Sequence, residues 1–307
     1  MTRLPNDRAA AVPTSHLFLA LAVVAVWGSN FVVIKLTLDS MPPLLFALLR
    51  FCFAFLPAAV FIARPKVPLR RLAAYGVLIG AGQFGLLYFA VAGHISPGLA
   101  SLVVQMQVFF TVALAVVFDG ERVRPYQVLA MCVAASGMVV IGVHLDAHTT
   151  LLGLALVLTA ALCWAGGNQV ARANGRVDVL AVVVWSSVFA LPPLLAMTLL
   201  FEGPDAIGVA LTSAGPSVWT AVLWQALGNT LFGYAAWSWL LARHPAASIA
   251  PMALLVPVFG MSTSLWWLGE ALPTWKLLAG ALVLVGLALN LFWPALAARF
   301  SRPPRFG

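Results

Sequence analysis

Residues 17–38 read LFLALAVVAVWGSNFVVIKLTL, an apolar run in which Lys35 carries the only charge. A helix rising ~1.5 Å per residue needs about 20 residues to cross the ~30 Å hydrocarbon core of a bilayer. Backbone groups inside lipid must find partners within their own segment, so a run of this length crosses as a helix. Working outward, further apolar stretches follow at 43–62, 72–92, 97–117, 125–143, 151–171, 180–201, 216–240, 246–268 and 273–293. The pattern predicts an all-α membrane protein of ten transmembrane helices.

Composition excludes the soluble alternatives. Hydrophobic residues make up 63% and charged residues 8% of the chain, with a mean hydropathy of +1.01. A net charge of +8 would suggest nucleic acid as partner in a soluble protein. Here the basic residues sit in tails and short loops beside the membrane, so no nucleic-acid partner is expected. With the N-terminus inside, the inner segments hold Arg3, Arg8, Arg64, Lys66, Arg70, Arg71, Arg122, Arg124, Arg172, Arg176, Arg243, Arg299, Arg302 and Arg305, against Lys276 outside. That bias places both termini in the cytoplasm, with tails at 1–16 and 294–307. The first apolar run is too long, and lacks the small-residue cleavage site, for a removed signal peptide. No loop is large enough for a soluble module, and no nucleotide-binding motif is present. Cys52, Cys132 and Cys163 fall inside spans without metal or redox spacing, and read as packing residues. Neither a cofactor nor a metal is expected.

The chain repeats itself. Trp27-Gly28-Ser29-Asn30 in the first stretch resembles Trp164-Ala165-Gly166-Gly167-Asn168 in the sixth. The fourth and ninth end in Gly120-Glu121 and Gly269-Glu270, followed by Pro125 and Pro273, and then by Gly137 and Gly286 at the same spacing from each glutamate. Five spans per half is odd, so the second half (151–293) enters the membrane from the side opposite to the first (17–143). Inverted repeats of this kind recur in secondary transporters, which bind substrate near the midplane between the halves.

Hydrogen-bonding side chains are costly in lipid and face the bundle interior. Those at mid-span depth are Asn30, Gln83, Tyr88, Gln105, Gln107, Asn168, Gln169, Asn229 and Tyr234. Each alone could join two helices by one hydrogen bond; their concentration in repeat-related helices points to a shared substrate cavity. Trp27 and Trp164 are placed on its wall, and Pro97 and Pro257 at its gates, where proline frees carbonyls one turn back. Lys35 and Arg50 read as basic groups near the outer ends of the first two helices, snorkelling or pairing with Asp39, or attracting a substrate carboxylate. Glu121 and Glu270 read as helix-end groups pairing with Arg122 and Lys276. No Asp or Glu occupies a span centre, which disfavours a cationic-drug antiporter; energy coupling stays open between a facilitator running down a metabolite gradient, the preferred reading, and a proton route through water and helix-end groups.

These landmarks resemble the EamA family of the drug/metabolite transporter superfamily. The likeness extends through Phe31-Val32-Val33-Ile34-Lys35, Met41-Pro42-Pro43, Ala63-Arg64-Pro65-Lys66-Val67-Pro68, Gly98-Leu99-Ala100-Ser101-Leu102-Val103, Gln107-Val108-Phe109-Phe110-Thr111 and Leu254-Leu255-Val256-Pro257-Val258. It implies an exporter of small zwitterionic or neutral metabolites of the O-acetylserine and cysteine class, with other metabolites or drugs as the alternative cargo. The glycine-rich Gly166-Gly167-Asn168-Gln169 and the Trp266-Trp267 pair depart from the expected pattern and bear on pocket size. The competing class is a membrane enzyme or lipid-handling protein, for which His94, His144, Asp146 and His148 are the residues to inspect.

Overall fold

The computed structural model describes residues 12–175 and 177–300; Arg3, Arg8, Arg176, Arg302 and Arg305, and most of the two basic tails, lie outside them. The described residues form helices and no strand. The long helices are α1 (Thr14–Leu38), α2 (Pro43–Phe61), α3 (Leu69–Gly93), α4 (Pro97–Asp119), α5 (Pro125–Gly142), α6 (Leu151–Ala173), α7 (Val179–Phe201), α8 (Pro216–Arg243), α9 (Ala250–Leu268) and α10 (Thr274–Phe300). Among the described residues, nine of these are long and apolar enough to span a bilayer alone. The exception is α8, which qualifies only with the short helix Gly203–Ser213, from which it is bent by 103°.

Local chemistry sets the ends. Proline occupies the first turn of α2, α4, α5 and α8, where a missing N–H costs nothing. Thr150 caps α6 by accepting from the Gly153 amide at 3.0 Å, and Asp178 caps α7 by accepting from the Leu180 amide at 2.9 Å. Gly120 and Gly269 terminate α4 and α9 in left-handed conformations, φ 67° and 65°, which a side chain would resist.

The interruptions also recur five helices apart. A π-helical turn runs through Val77–Gly85 in α3 and Trp224–Phe232 in α8. A 3₁₀ segment lies at Val104–Met106 in α4 and Ala250–Leu254 in α9. Packing follows the same exchange: α1 lies on α9 as α6 lies on α4, α6 on α3 as α1 on α8, while α2 pairs with α7 and α5 with α10. The last pair is reciprocal. A Cβ on Gly137 would fall 2.9 Å from the Ala279 carbonyl oxygen, and one on Gly286 would fall 2.6 Å from that of Ala130. Ascending α5 therefore means descending α10, and the two glycines let antiparallel backbones approach.

Candidate functional site

Arg50 occupies the middle of α2, with no part of its surface exposed. It neither snorkels nor pairs with Asp39. Its position seven residues past Pro43 sinks it ~10 Å along the helix, beyond reach of the rim. Its Nε donates to Thr230 Oγ1 at 3.1 Å; Nη1 donates to the Tyr88 hydroxyl at 2.9 Å and to Gln225 Oε1 at 3.1 Å; Nη2 donates to Asn229 Oδ1 at 2.9 Å. The guanidinium carbon stands 3.7 Å from the centre of the Phe84 ring, a cation–π contact. A second tier fixes these partners. The Tyr88 hydroxyl donates to Gln225 Oε1 at 2.9 Å, Gln225 Nε2 donates to Asn30 Oδ1 at 2.7 Å, and the Trp27 indole donates to the Asn229 carbonyl at 3.1 Å.

The backbone explains how α8 offers so many groups to one cation. In an α-helix, residues five apart lie on different faces. Through the π-turn, Gln225 and Thr230 share a face, and the Thr230 hydroxyl donates to the Gln225 carbonyl at 2.8 Å. Asn229 completes the set. Tyr234, one turn on, tilts against Trp27 with ring centres 5.8 Å apart.

Of the residues singled out from the sequence, Trp27, Asn30, Tyr88, Asn229 and Tyr234 thus gather around or beside Arg50. Gln107 and Asn168 form a separate cluster between α4 and α6: Asn168 Nδ2 donates to Gln107 Oε1 at 2.9 Å and to Thr111 Oγ1 at 3.3 Å. Trp164 is half-buried against the apolar core. Gln105 is buried in the 3₁₀ segment of α4, Pro97 is buried in the first turn of that helix, and Pro257 is buried within α9. Gln83 is buried in the π-turn of α3, and its Oε1 has no hydrogen-bond partner. Gln225 and Thr230 were not among the predicted site residues, and Arg50 was weighed only as a group near the outer end of its helix that could attract a substrate carboxylate. Gln225, one helical turn before Asn229, carried the signal of a mid-span amide.

Arg50, Phe84, Thr230 and Tyr234, with Tyr75, Gly76 and Ser186, border a central cavity that leaves about 10 Å³ for the centre of a water molecule. That is room for one water at most. Wider openings of about 570 and 850 Å³ lie at opposite ends of the bundle. At the first end, Glu270 is held by Lys276 Nζ at 3.0 Å, by the Gly98 amide at 3.0 Å and by the Ser96 hydroxyl. Nearby Glu202, just past α7, accepts from the Leu44 and Leu45 amides at 2.6 and 3.0 Å and closes the start of α2. Burial pushes its carboxyl above the ordinary glutamate value, and the two amides pull against that shift. Second-half carboxylates thus clamp first-half helix N-termini here. At the other end, Glu121 is exposed and pairs with Arg172 of α6, not with Arg122, because Arg172 reaches across from the neighbouring helix end. Lys35 donates to the Ala92 carbonyl at 3.3 Å and forms no ion pair with Asp39.

Among the described residues, no three His, Cys, Asp or Glu side chains converge as a metal site. His144 stacks on Trp275, while Asp146 accepts the His148 and Thr149 amides in a loop turn. The three cysteines are unpaired.

Comparison with known proteins gives these features a context. The chain matches the EamA-like transporter family over residues 14–143 and 151–292. It is 42% identical over 281 residues to a Salmonella typhimurium (strain LT2) protein named "Probable amino-acid metabolite efflux pump", covering 90% of this chain and 94% of that protein. An Escherichia coli (strain K12) protein of the same name is 38% identical, over 89% and 94%. A "Probable terminal-alkyne amino-acid exporter" of Streptantibioticus cattleyicolor is 32% identical, over 88% and 91%. One solved structure aligns over 95% of this chain and all of its own, with a TM-score of 0.62 at 20% identity, a likeness of fold.

Proposed function

This chain belongs to the EamA-like transporter family, a multi-pass membrane protein, and we propose that it exports small amino-acid-like metabolites of the O-acetylserine and cysteine class across the bacterial inner membrane. The observation that carries this reading is the polar network around Arg50, sealed inside an apolar bundle and assembled from α1, α2, α3 and α8, helices of both halves. Buried polar groups at this depth mark substrate paths. The relatives named for amino-acid efflux supply the cargo class.

In this reading α8 is the tenth span, both termini are cytoplasmic, and residues 17–143 and 151–293 are two inverted repeats that rock about the central site. The metabolite crosses unchanged, without enzymatic conversion, down its own gradient. Trp27, Asn30, Gln83, Tyr88, Gln105, Asn229 and Tyr234 shape the site; Gln107, Trp164 and Asn168 line the path between α4 and α6; Pro97, in the first turn of α4, and Pro257, within α9, act as gates. The cavity beside Arg50, about 10 Å³, is too small for an amino acid, so it widens when the metabolite binds.

The test is efflux of labelled O-acetylserine, cysteine and a panel of amino acids from cells carrying the protein or an empty vector. Faster efflux of one or more members, reduced by at least about tenfold in Asn30→Ala and Asn229→Ala at equal membrane levels, is the expected result. Efflux matching the vector for every compound would reject amino-acid export.

A further inference from the structure

We infer that the transported species must carry a carboxylate, bound by Arg50, and that its amino group is dispensable. This rests on the reading of the central network as the substrate site.

Arg50 has no counter-ion among the described residues. The ion pairs among the described residues join Arg172 to Asp119 and Glu121, and Lys276 to Glu270; no carboxylate reaches Arg50. Its four hydrogen bonds all end on neutral oxygens of Thr230, Tyr88, Gln225 and Asn229. A guanidinium has five N–H donors, so these bonds leave one on Nη2 unused. Neutral acceptors satisfy geometry but do not cancel charge, and an uncompensated buried cation is expensive to keep. A protein that needed only to join α2 to α8 would be served by an uncharged residue. The cation in hydrocarbon makes sense if an anion arrives to meet it.

A carboxylate fits what the site presents. The planar fork binds two oxygens side by side, and Gln225 and the Tyr88 hydroxyl already bond to each other, so both can yield Nη1 without being orphaned. An ammonium finds nothing comparable. The rest of the cavity lining offers the hydroxyl-bearing side chains of Tyr75, Ser186 and Tyr234, and no Asp or Glu. Hydroxyls receive an amide N–H or a hydroxyl as readily as an amine. The site is therefore selective at one end of an amino acid and indifferent at the other.

The experiment is counterflow of labelled O-acetyl-L-serine into proteoliposomes, buffered slightly below neutral to prevent acyl migration. Three unlabelled competitors are compared: N-acetyl-L-serine and 3-acetoxypropionate, which keep the carboxylate and lack the ammonium, and O-acetyl-L-serinamide, which has the reverse. In the wild type both acids should compete within about tenfold of O-acetylserine, and the amide at least about thirtyfold more weakly, as expected for a lost buried charge pair. Arg50→Gln should bring acids and amide to the same potency, and Arg50→Lys should retain part of the preference. Should Arg50→Gln not fold, the wild-type panel and Arg50→Lys decide alone. An amide as potent as the acids, acids that fail to compete, or a preference surviving in Arg50→Gln overturns the inference while export stands. Absence of O-acetylserine counterflow overturns O-acetylserine as cargo and this inference with it.

Discussion

The crossing of α2 with α8 and the crossing of α7 with α3 occupy equivalent places in the two halves, yet they are built from opposite chemistry. At the first, Arg50 holds α8 through hydrogen bonds to three of its side chains. At the second there is bare contact: a Cβ on Gly76 would overlap the Ser186 carbonyl oxygen, and one on Gly80 would overlap the Ala190 methyl. One fold thus supports a joint that can change partners and a joint that cannot move apart without losing packing. The α7–α3 crossing suits a fulcrum and the α2–α8 crossing a site. Breaking the fulcrum should have the largest effect. Gly76→Val places three carbons where none fits, against backbone, and should cost about 3 kcal/mol or more. The measurement is the monodisperse fraction in detergent and its melting temperature. Gly93→Ala is the control, because a Cβ there meets nothing within 4 Å. Normal folding of Gly76→Val would remove the distinction between the joints.

The same contrast separates the ends of α4 and α9, whose Gly-Glu motifs read alike. Glu270 is buried with Lys276 and caps the start of α4, whereas Glu121 meets Arg172 in solvent. Glu270→Gln strands a buried ammonium and should lower stability by about 3 kcal/mol. Glu121→Gln should leave the melting temperature unchanged, since exposed pairs contribute little. Equal effects would mean that the two ends are not in different states.

How far the sequence led differs between fold and site. Span length and spacing placed most helix ends within a few residues, because crossing lipid is a strict demand on backbone; α10 runs on past the expected end at 293 to Phe300. The Gly137 and Gly286 landmarks proved to be the reciprocal contact of α5 with α10, since small residues recur where backbones touch. Arg50 was assigned to the rim because its charge was weighed against its neighbours rather than its depth in α2. Gln225 and Thr230 escaped because a regular helical period puts them on different faces; only the π-turn unites them. The bend between Gly203–Ser213 and α8 left no apolar signature. Side-chain wiring across helices far apart in sequence is a property of packing, which periodicity does not encode.

The smallest effect expected is the most discriminating. Gln83 and Asn229 stand at matching places, each five residues before a tyrosine, in the π-turns of α3 and α8. Asn229 Oδ1 accepts from Arg50, whereas Gln83 Oε1 is buried and accepts nothing. A buried acceptor without a donor costs about 1–3 kcal/mol, so Gln83→Leu, close in volume, should raise stability by about 1 kcal/mol. Asn229→Leu should lower it, because it withdraws a partner from a buried cation. If Gln83 serves the substrate, its unmet oxygen is held ready for a donor on the cargo, and the more stable Gln83→Leu protein should transport more slowly. Thermal melts paired with efflux rates separate the cases: a stabilised variant with unchanged efflux would take Gln83 out of the site and leave the recognition of cargo to the α2–α8 side.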